Sequence, residues 1–210
     1  MTTADHHHHV EEDPWVDRLA TPRVEPARGG VAPDEDALSR ILETATTVPD
    51  HGGLRPWRFA LITGAGRDRF AAALVAGLHT LRGDDLPESV VTKMQGKAFA
   101  APCAVMLVAS PDPGSNVPVW EQVASASCTG YAMVLAATAL GLGAAWKSAP
   151  VLATEPVRIL FAARKDEQLL GWINLGSPGP SRERATTAQA PVDLAELVTV
   201  ISSDDRPFGR

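Results

Sequence analysis

The feature that most constrains the fold is an uncharged segment in the middle of the chain. The 25 residues from 122 to 146 contain no Asp, Glu, Lys or Arg, which is enough for a helix to cross a bilayer. Most of them are Ala, Ser, Thr and Gly, however, and the pattern breaks at Gly141 and Gly143. Small residues let a helix pack closely against its neighbours. We therefore predict a long helix, from about Trp120 to Leu140, buried in a globular protein.

Helical and extended patterns alternate on both sides of this segment. One helix is predicted to begin at Asp34 and to end before Pro49. Further helices are predicted over 67–81, 87–98 and 155–161, and strands over 57–63, 101–109, 144–148 and 169–175. The order is irregular and shows no internal repeat. It indicates a mixed β-sheet flanked by helices.

The N-terminal region has a different composition from the rest of the chain. It holds the histidine run from His6 to His9, followed by acidic residues, prolines and glycines. Four consecutive histidines cannot all point inward, and no cysteine or carboxylate at ligand spacing supports a closed metal site. We interpret the run as a tag remnant or an incidental tail. The prediction is a flexible tail at 1–13 and a single domain at 14–210.

Charge and cysteine usage exclude several classes of function. The net charge of −6 lacks the basic excess that binding to nucleic acid uses. The only cysteines, Cys103 and Cys128, lie in apolar segments, which predicts reduced core thiols. No secretory signal is visible at the N-terminus. These features favour a cytoplasmic protein with neither nucleic acid nor membrane as a partner.

The segment VPDHGGLRPWRF at 48–59 concentrates chemistry between a predicted helix and a predicted strand. His51 is either a turn residue whose ring bonds a nearby carbonyl or a ligand-contacting group, because loops between firm elements often carry function. The two glycines either form a turn or let the backbone approach a ligand. Arg55 and Arg58 flank a rigid proline and are either an anion clamp or a solvated edge.

A second group of chemical side chains follows the long helix. Trp146, Lys147 and Ser148 either form a strand with one buried aromatic or offer a planar cofactor a stacking face, a charge and a hydroxyl. A Cys–His hydrolase is a weaker alternative. It would need an exposed thiolate beside His51, whereas Cys128 lies in an apolar helix pattern.

Three stretches together resemble the FMN-dependent nitroreductase family, in particular its small NAD(P)H nitroreductases. They are PDHGGLRPWRF at 49–59, VPVWEQVASASC at 117–128 and AAWKSAP at 144–150. The resemblance implies a nitroreductase-like α+β homodimer with FMN at the subunit interface. It also implies ping-pong transfer of hydride from NAD(P)H, through the flavin, to a nitroaromatic, a quinone or a related small-molecule acceptor, with no catalytic residue of the protein's own.

The resemblance assigns the flavin phosphate to the two ends of the chain. DRLATPR at 17–23 occupies the place of an Arg-Arg-Ser-type segment, so Arg18 matches the first arginine, while Leu19 and Ala20 replace the other two residues. Arg182 could add charge from the C-terminal side. The replacements motivate an alternative function, a module that stores or senses FMN without significant turnover.

The remaining cofactor contacts fall on the two groups described above. By the resemblance, His51 and Arg55 meet FMN from the partner chain, with Arg55 where glutamine is more usual. Trp146, Lys147 and Ser148 match the loop beside the reactive edge of the flavin. Ala137, Leu140 and Gly141, at the end of the long helix, correspond to a segment associated with the nicotinamide.

Overall fold

The structure, a computed structural model, describes residues 14–20, 25–179, 192–201 and 206–207. The described residues belong to two units that divide after Gly179. The histidine run and the tail predicted at 1–13 lie outside the described residues, and the single domain at 14–210 stays a prediction. The second unit contains a short helix, α7 (Leu194–Leu197), and an antiparallel pair of strands, β5 (Thr199–Val200) and β6 (Arg206–Pro207).

The first unit contains six α-helices and four strands among its described residues. In chain order they are α1 (Pro14–Ala20), α2 (Glu35–Ala45), β1 (Trp57–Ile62), α3 (Gly66–Arg82), α4 (Glu88–Gln95), β2 (Cys103–Ala109), α5 (Val119–Ala139), β3 (Gly143–Lys147), α6 (Glu155–Leu160) and β4 (Gln168–Gly176). Every element predicted between residues 34 and 175 is confirmed, with ends that differ by a few residues. The Asp34 carboxylate caps α2 by accepting a hydrogen bond from the backbone N–H of Ala37 at 2.8 Å, as an N-cap residue does.

The four strands form one sheet in the order β1-β2-β4-β3, and every neighbouring pair is antiparallel. The prediction of a mixed sheet is therefore wrong for the described sheet. Two helices, α3 and α4, connect β1 to β2. They return the chain to the same end of the sheet at which β1 finishes, so that Ile62 pairs with Ala104. A single crossover helix, α5, leads from β2 to β3, which run parallel to each other, but β4 lies between them.

Helices cover both faces of this sheet. On one face, Leu107 and Ile173 pack in a cluster with Ile41 of α2 and Met133 of α5. On the other face, Trp172 belongs to a second cluster with residues of α3 and α6. All seven residues of β2 are consequently buried, which explains why the strand reads as a continuous apolar run although its pairing is antiparallel.

The uncharged segment forms α5, as predicted, and packs against α2, β2 and β3. Its buried side includes Ala126, Gly130, Met133 and Ala137. Among the described residues, no helix is long and apolar enough to cross a membrane. The small side chains of α5 instead let its backbone lie close to the sheet. The loops at the two ends of α5 therefore lie close to the elements against which the helix packs.

Candidate functional site

The loop before β1 has an unusual backbone. Gly52, Gly53 and Arg55 have φ angles of 79°, 64° and 49°, in the left-handed region that glycine adopts freely and other residues adopt at a cost. The Asp50 carboxylate accepts a hydrogen bond from the backbone N–H of Arg55 at 2.7 Å. Asp50 thus holds Arg55 in a strained conformation, a feature that concentrates at functional sites.

This loop is fastened to the first turns of α5. His51 Nδ1 lies 2.7 Å from Glu121 Oε1, and the hydroxyl of Ser125 donates a hydrogen bond to the carbonyl of Pro49 at 2.8 Å. The His51 side chain remains 67% exposed. Glu121 therefore orients the imidazole through Nδ1, and the opposite edge of the ring points away from Glu121.

The second predicted group lies at the end of β3, a strand rather than a loop. Trp146 is 37% exposed as a residue, and its Nε1 donates a hydrogen bond to the carbonyl of Leu170 at 3.3 Å. Lys147 Nζ lies 2.6 Å from Glu25 Oε1, and Ser148 is exposed just beyond the strand. The tryptophan is thus neither a fully buried core residue nor a freely rotating surface side chain.

Both groups lie along the same helix. The loop before β1 meets α5 at Glu121 and Ser125, and the Trp146 ring lies against Gly130. At about 1.5 Å of rise per residue, the contacts of His51 and Trp146 on α5 are roughly 13 Å apart along the helix axis. Glu121 and Gly130 are nine residues apart, which places them about 180° apart around the helix axis, so both groups contact α5 but from opposite sides of it.

The predicted phosphate-binding residues are largely outside the described part of the chain. The side chains of Arg18 and Ala20 are not described, and Arg182 lies outside the described residues. Leu19, in α1, is 53% exposed. The phosphate site at these positions stays a prediction.

The predicted nicotinamide segment is divided between core and surface. The Ala137 side chain is fully buried, so it cannot touch a ligand within its own protomer. Leu140 lines an open cavity of about 490 Å³ together with Leu142 and residues at the start of α2. Gly141 is exposed and has a φ of 75°. Of the three residues, only Leu140 and Gly141 are placed where a ligand could reach them.

Arg58 has a structural role, so the interpretation of Arg58 as an anion clamp is wrong. Its guanidinium donates two hydrogen bonds, of 2.8 and 2.7 Å, to the carboxylate of Glu167, whose side chain is fully buried. These hydrogen bonds lower the pKa of Glu167 to about 2, helped by the backbone N–H of Arg164, while burial acts in the opposite direction. Because the guanidinium is committed to this carboxylate, it is not available to a ligand.

The two cysteines differ in environment. Cys103 is buried in β2, and burial raises the pKa of its thiol to about 11, which confirms the predicted core thiol. Cys128 is exposed on α5, so the prediction that it is also a core thiol is wrong, because it lies on the side of the helix that faces away from the sheet. His51 contacts Glu121 rather than Cys128, an arrangement that gives a Cys–His hydrolase no support.

Several residues that shape the site carried no local signal in the sequence. Glu121 and Glu25 are the carboxylates that engage His51 and Lys147. Gly130 and Gly171 are the backbone positions against which Trp146 packs. Each of these contacts joins parts of the chain far apart in sequence, although Glu121 could have been noticed as the last charge before the uncharged segment.

Comparisons with known proteins agree with the fold. Residues 31–177 match the family model described as "Nitroreductase family". The chain is 36% identical over 147 residues to "Putative NAD(P)H nitroreductase YdjA" of Escherichia coli (strain K12), which covers 70% of this chain and 79% of that protein.

Two solved structures have the same architecture. A nitroreductase-like family protein from Bacillus cereus superimposes with a TM-score of 0.72 at 19% identity, covering 92% of this chain and 98% of the other. A variant of the FMN and NADPH-dependent nitroreductase NfnB from sphigopyxis sp. strain HMH gives a TM-score of 0.65 at 20% identity, covering 89% and 98%. At such identities these structures show a shared fold, which confirms the predicted α+β class.

Proposed function

The chain belongs to the nitroreductase family, and we propose that it is an oxidoreductase that uses FMN to pass hydride from NAD(P)H to nitroaromatic, quinone or related electrophilic acceptors. The names of the relatives support the donor and the cofactor, since one is named for NAD(P)H and another for FMN and NADPH. The observation that carries the proposal is the exposed His51–Arg55 loop, in which Glu121 orients His51.

The loop before β1 has the chemistry that an anionic, planar cofactor needs. Arg55 is exposed, and among the described residues no carboxylate pairs with its guanidinium. A Cβ atom added at Gly53 would meet no heavy atom within 4 Å, so the backbone is open to a ligand at this point. A cation beside an open stretch of backbone fits a group that carries phosphate and a polar ring.

His51 and Trp146 would contact the ring system of the cofactor. Glu121 fixes the imidazole of His51, and the partly exposed indole of Trp146 offers an aromatic surface. FMN, when bound, supplies the hydride chemistry itself. The protein's part is to bind and orient the ring and to present the positive charge of Arg55, which favours negative charge on the ligand.

Lys147 has a partner that a ligand would have to displace. Its ammonium group is 2.6 Å from Glu25, and the two side chains are 38% and 70% exposed. Ion pairs that exposed contribute at most about 1 kcal/mol. Exchange of Glu25 for a ligand group therefore costs little, and Lys147 can serve the site after that exchange.

We include a homodimer in the proposal because α5 presents an uncharged outer face. Trp120 and Tyr131 are 71% and 52% exposed, and Cys128 lies between them on the same side of the helix. An exposed apolar strip of this kind is typical of an interface between subunits. A second copy packed on this face would bring another loop before β1 close to the first, as a cofactor site shared by two chains requires.

The direct test is to identify the cofactor in the purified protein. We expect yellow protein that releases one FMN per chain on denaturation, identified by mass spectrometry. Under anaerobic conditions NADPH or NADH should bleach the flavin, and a nitroaromatic or quinone added afterwards should restore its colour, as a ping-pong cycle requires. Protein that neither retains nor takes up FMN would overturn the proposal.

Leu19 and Ala20 stand where the family resemblance expects an arginine and a serine. This difference supports a second candidate function, an FMN-binding module that stores or senses the flavin. The two functions differ in the rate of reduction. A storage module would bind FMN but would be bleached by NAD(P)H far more slowly than a turnover of about 1 s⁻¹, the lower end for ordinary enzymes. A cytoplasmic location completes the proposal.

A further inference from the structure

Strand β4 contains a β-bulge beside the candidate site. Leu107 of β2 pairs with Gly171, but the next residue, Val108, pairs with Leu169. Leu170 is therefore the extra residue on β4, with no partner in the ladder. Bulges of this kind re-aim side chains and occur next to active sites.

The bulge directs a carbonyl group at the Trp146 indole. The last pair between β3 and β4 joins Lys147 to Trp172, so the carbonyl of Leu170 lies beyond the ladder on this side. It accepts the hydrogen bond from Trp146 Nε1 at 3.3 Å. The interruption of the sheet is thus the feature that supplies an acceptor for the indole.

Gly171 is required at this point for two separate reasons. Its φ of 135° lies in a region that is essentially restricted to glycine. A Cβ atom there would lie 2.5 Å from Trp146 Nε1 and 2.5 Å from the carbonyl oxygen of Lys147. Any larger residue would therefore be strained and would also push the five-membered ring of the indole away.

Gly130 of α5 performs the corresponding role at the other end of the indole. A Cβ atom at Gly130 would lie 2.8 and 2.9 Å from Cζ3 and Cη2 of Trp146, and 2.9 Å from a methyl group of Leu107. The six-membered ring therefore rests directly on the helix backbone. Glycine inside a helix costs about 1 kcal/mol relative to alanine, so this contact is formed against the local preference of the helix.

We propose that Gly130 and Gly171 are positioning residues, which together with the bulge at Leu170 fix the orientation of Trp146 at the flavin site. The proposal rests on the proposed function for the role of Trp146 towards FMN. The clamp itself rests on contacts within this chain. A helix glycine, a glycine with positive φ and an interrupted ladder all converge on Trp146, which is nevertheless 37% exposed as a residue. Core packing alone would bury this ring instead.

The clamp can be tested without the cofactor. The protein contains five tryptophans, so 5-fluorotryptophan labelling gives five ¹⁹F signals, and Trp146→Phe assigns the one that belongs to Trp146. In apoprotein, Gly130→Ala and Gly171→Ala should each shift or broaden the Trp146 signal. If Gly171→Ala does not fold, Gly130→Ala alone decides the result. A Trp146 signal that stays unchanged in every folded glycine variant would overturn the clamp.

Two other glycines supply matched controls. Gly77, in α3, is also a helix glycine at a close contact, since an added Cβ would lie 2.5 Å from Thr154 Oγ1. Gly64 has a φ of 49° and open space around it. Gly77→Ala introduces a comparable clash within a helix and Gly64→Ala a milder positive-φ strain, both away from the site, and both should leave the Trp146 signal in place. A Trp146 signal that moves equally in the controls would overturn a specific role for Gly130 and Gly171.

The consequence for the flavin site is measured separately, by titration of apoprotein with FMN. Gly130→Ala should weaken FMN binding by about two- to tenfold, the range for an aromatic contact, and so should Trp146→Ala. The double variant should lose no more than the single variants, because both act through the indole. Additive losses would overturn the positioning role. Wild-type protein that binds no FMN would instead overturn the proposed function, while the ¹⁹F result still decides the clamp.

Discussion

His51 Nδ1 lies 2.7 Å from Glu121 Oε1 and joins the loop before β1 to the first turn of α5. The two residues are 70 positions apart in sequence. The contact orients the imidazole without burying it, because the His51 side chain is 67% exposed. A ring held from one side and open on the other suits a residue that contacts a ligand.

The first prediction concerns this pair. Glu121→Gln keeps the size of the side chain but removes its charge, and a hydrogen bond to a charged group is stronger than a neutral one by about 1 kcal/mol. We expect FMN affinity, measured by titration of apoprotein, to fall about fivefold. Glu88→Gln is the control, since Glu88 also lies in the first turn of a helix. Equal FMN affinities of the Glu121→Gln and wild-type proteins would show that FMN binding does not depend on the orientation of His51 by Glu121.

The second prediction concerns the strained backbone of Arg55. Arg55→Gly should relieve about 1–2 kcal/mol of strain at a φ of 49°, partly offset by about 0.5–1 kcal/mol from the freer unfolded chain. The protein should become slightly more stable to denaturant while its FMN affinity falls. Ala162→Gly, at a φ of 46°, should stabilise similarly and leave FMN binding unchanged. If Arg55→Gly is less stable than the wild-type protein, the backbone at Arg55 does not destabilise the folded state.

The third prediction concerns acid stability. The pKa of Glu167 is about 2 in the folded protein and ordinarily about 4.5, so between these values the unfolded chain binds more protons. The contribution of Glu167 is complete above about pH 4.5 and is lost as the pH falls towards 2. Glu167→Gln leaves Arg58 without its carboxylate and should cost about 3 kcal/mol at pH 7. Denaturant unfolding between pH 2 and 6 should show a weaker pH dependence in this variant. An unchanged slope would exclude Glu167 as a source of acid sensitivity.

The fourth prediction concerns the outer face of α5. Tyr131→Glu places a charge on the proposed subunit interface and should convert the protein to monomer, detected by analytical ultracentrifugation. FMN should be lost together with the dimer if two chains complete the site. Ile159→Glu, on an exposed position of α6, is the control and should leave the assembly intact. A Tyr131 variant that remains dimeric would place the interface elsewhere.

Local patterns in the sequence were sufficient for most of the secondary structure. The uncharged run gave α5 and the apolar run at 101–109 gave β2, because each pattern reflects burial on the elements themselves. The direction of the strands was not readable in the same way. Strand direction depends on the two helices between β1 and β2, which return the chain to the same end of the sheet and make these strands antiparallel. Local patterns do not show this return, so the prediction of a mixed sheet is wrong for the described strands.

Sequence patterns indicate His51 and Arg55 as candidate site residues because they lie in a loop, where exposed histidine and arginine are conspicuous, and Trp146 because it follows the break after the long helix. Their partners were not predictable from local patterns. Glu167 is 109 residues from Arg58, and no feature of either residue's neighbourhood indicates the other. The positive φ of Arg55 was equally hidden, since a non-glycine residue gives no sign of the left-handed conformation.

The strand order has a consequence for biosynthesis. Because β4 is the last strand of the sheet to be translated but lies between β2 and β3, the nascent chain carries the wholly apolar β2 with one edge open while roughly 60 further residues are added. At about 5–20 residues per second, this interval lasts about 3–12 s. Until β4 emerges from the ribosome, β3 has no strand to pair with and the sheet cannot close. Ribosome-associated chaperones therefore have a defined period in which this chain exposes an unpaired apolar edge.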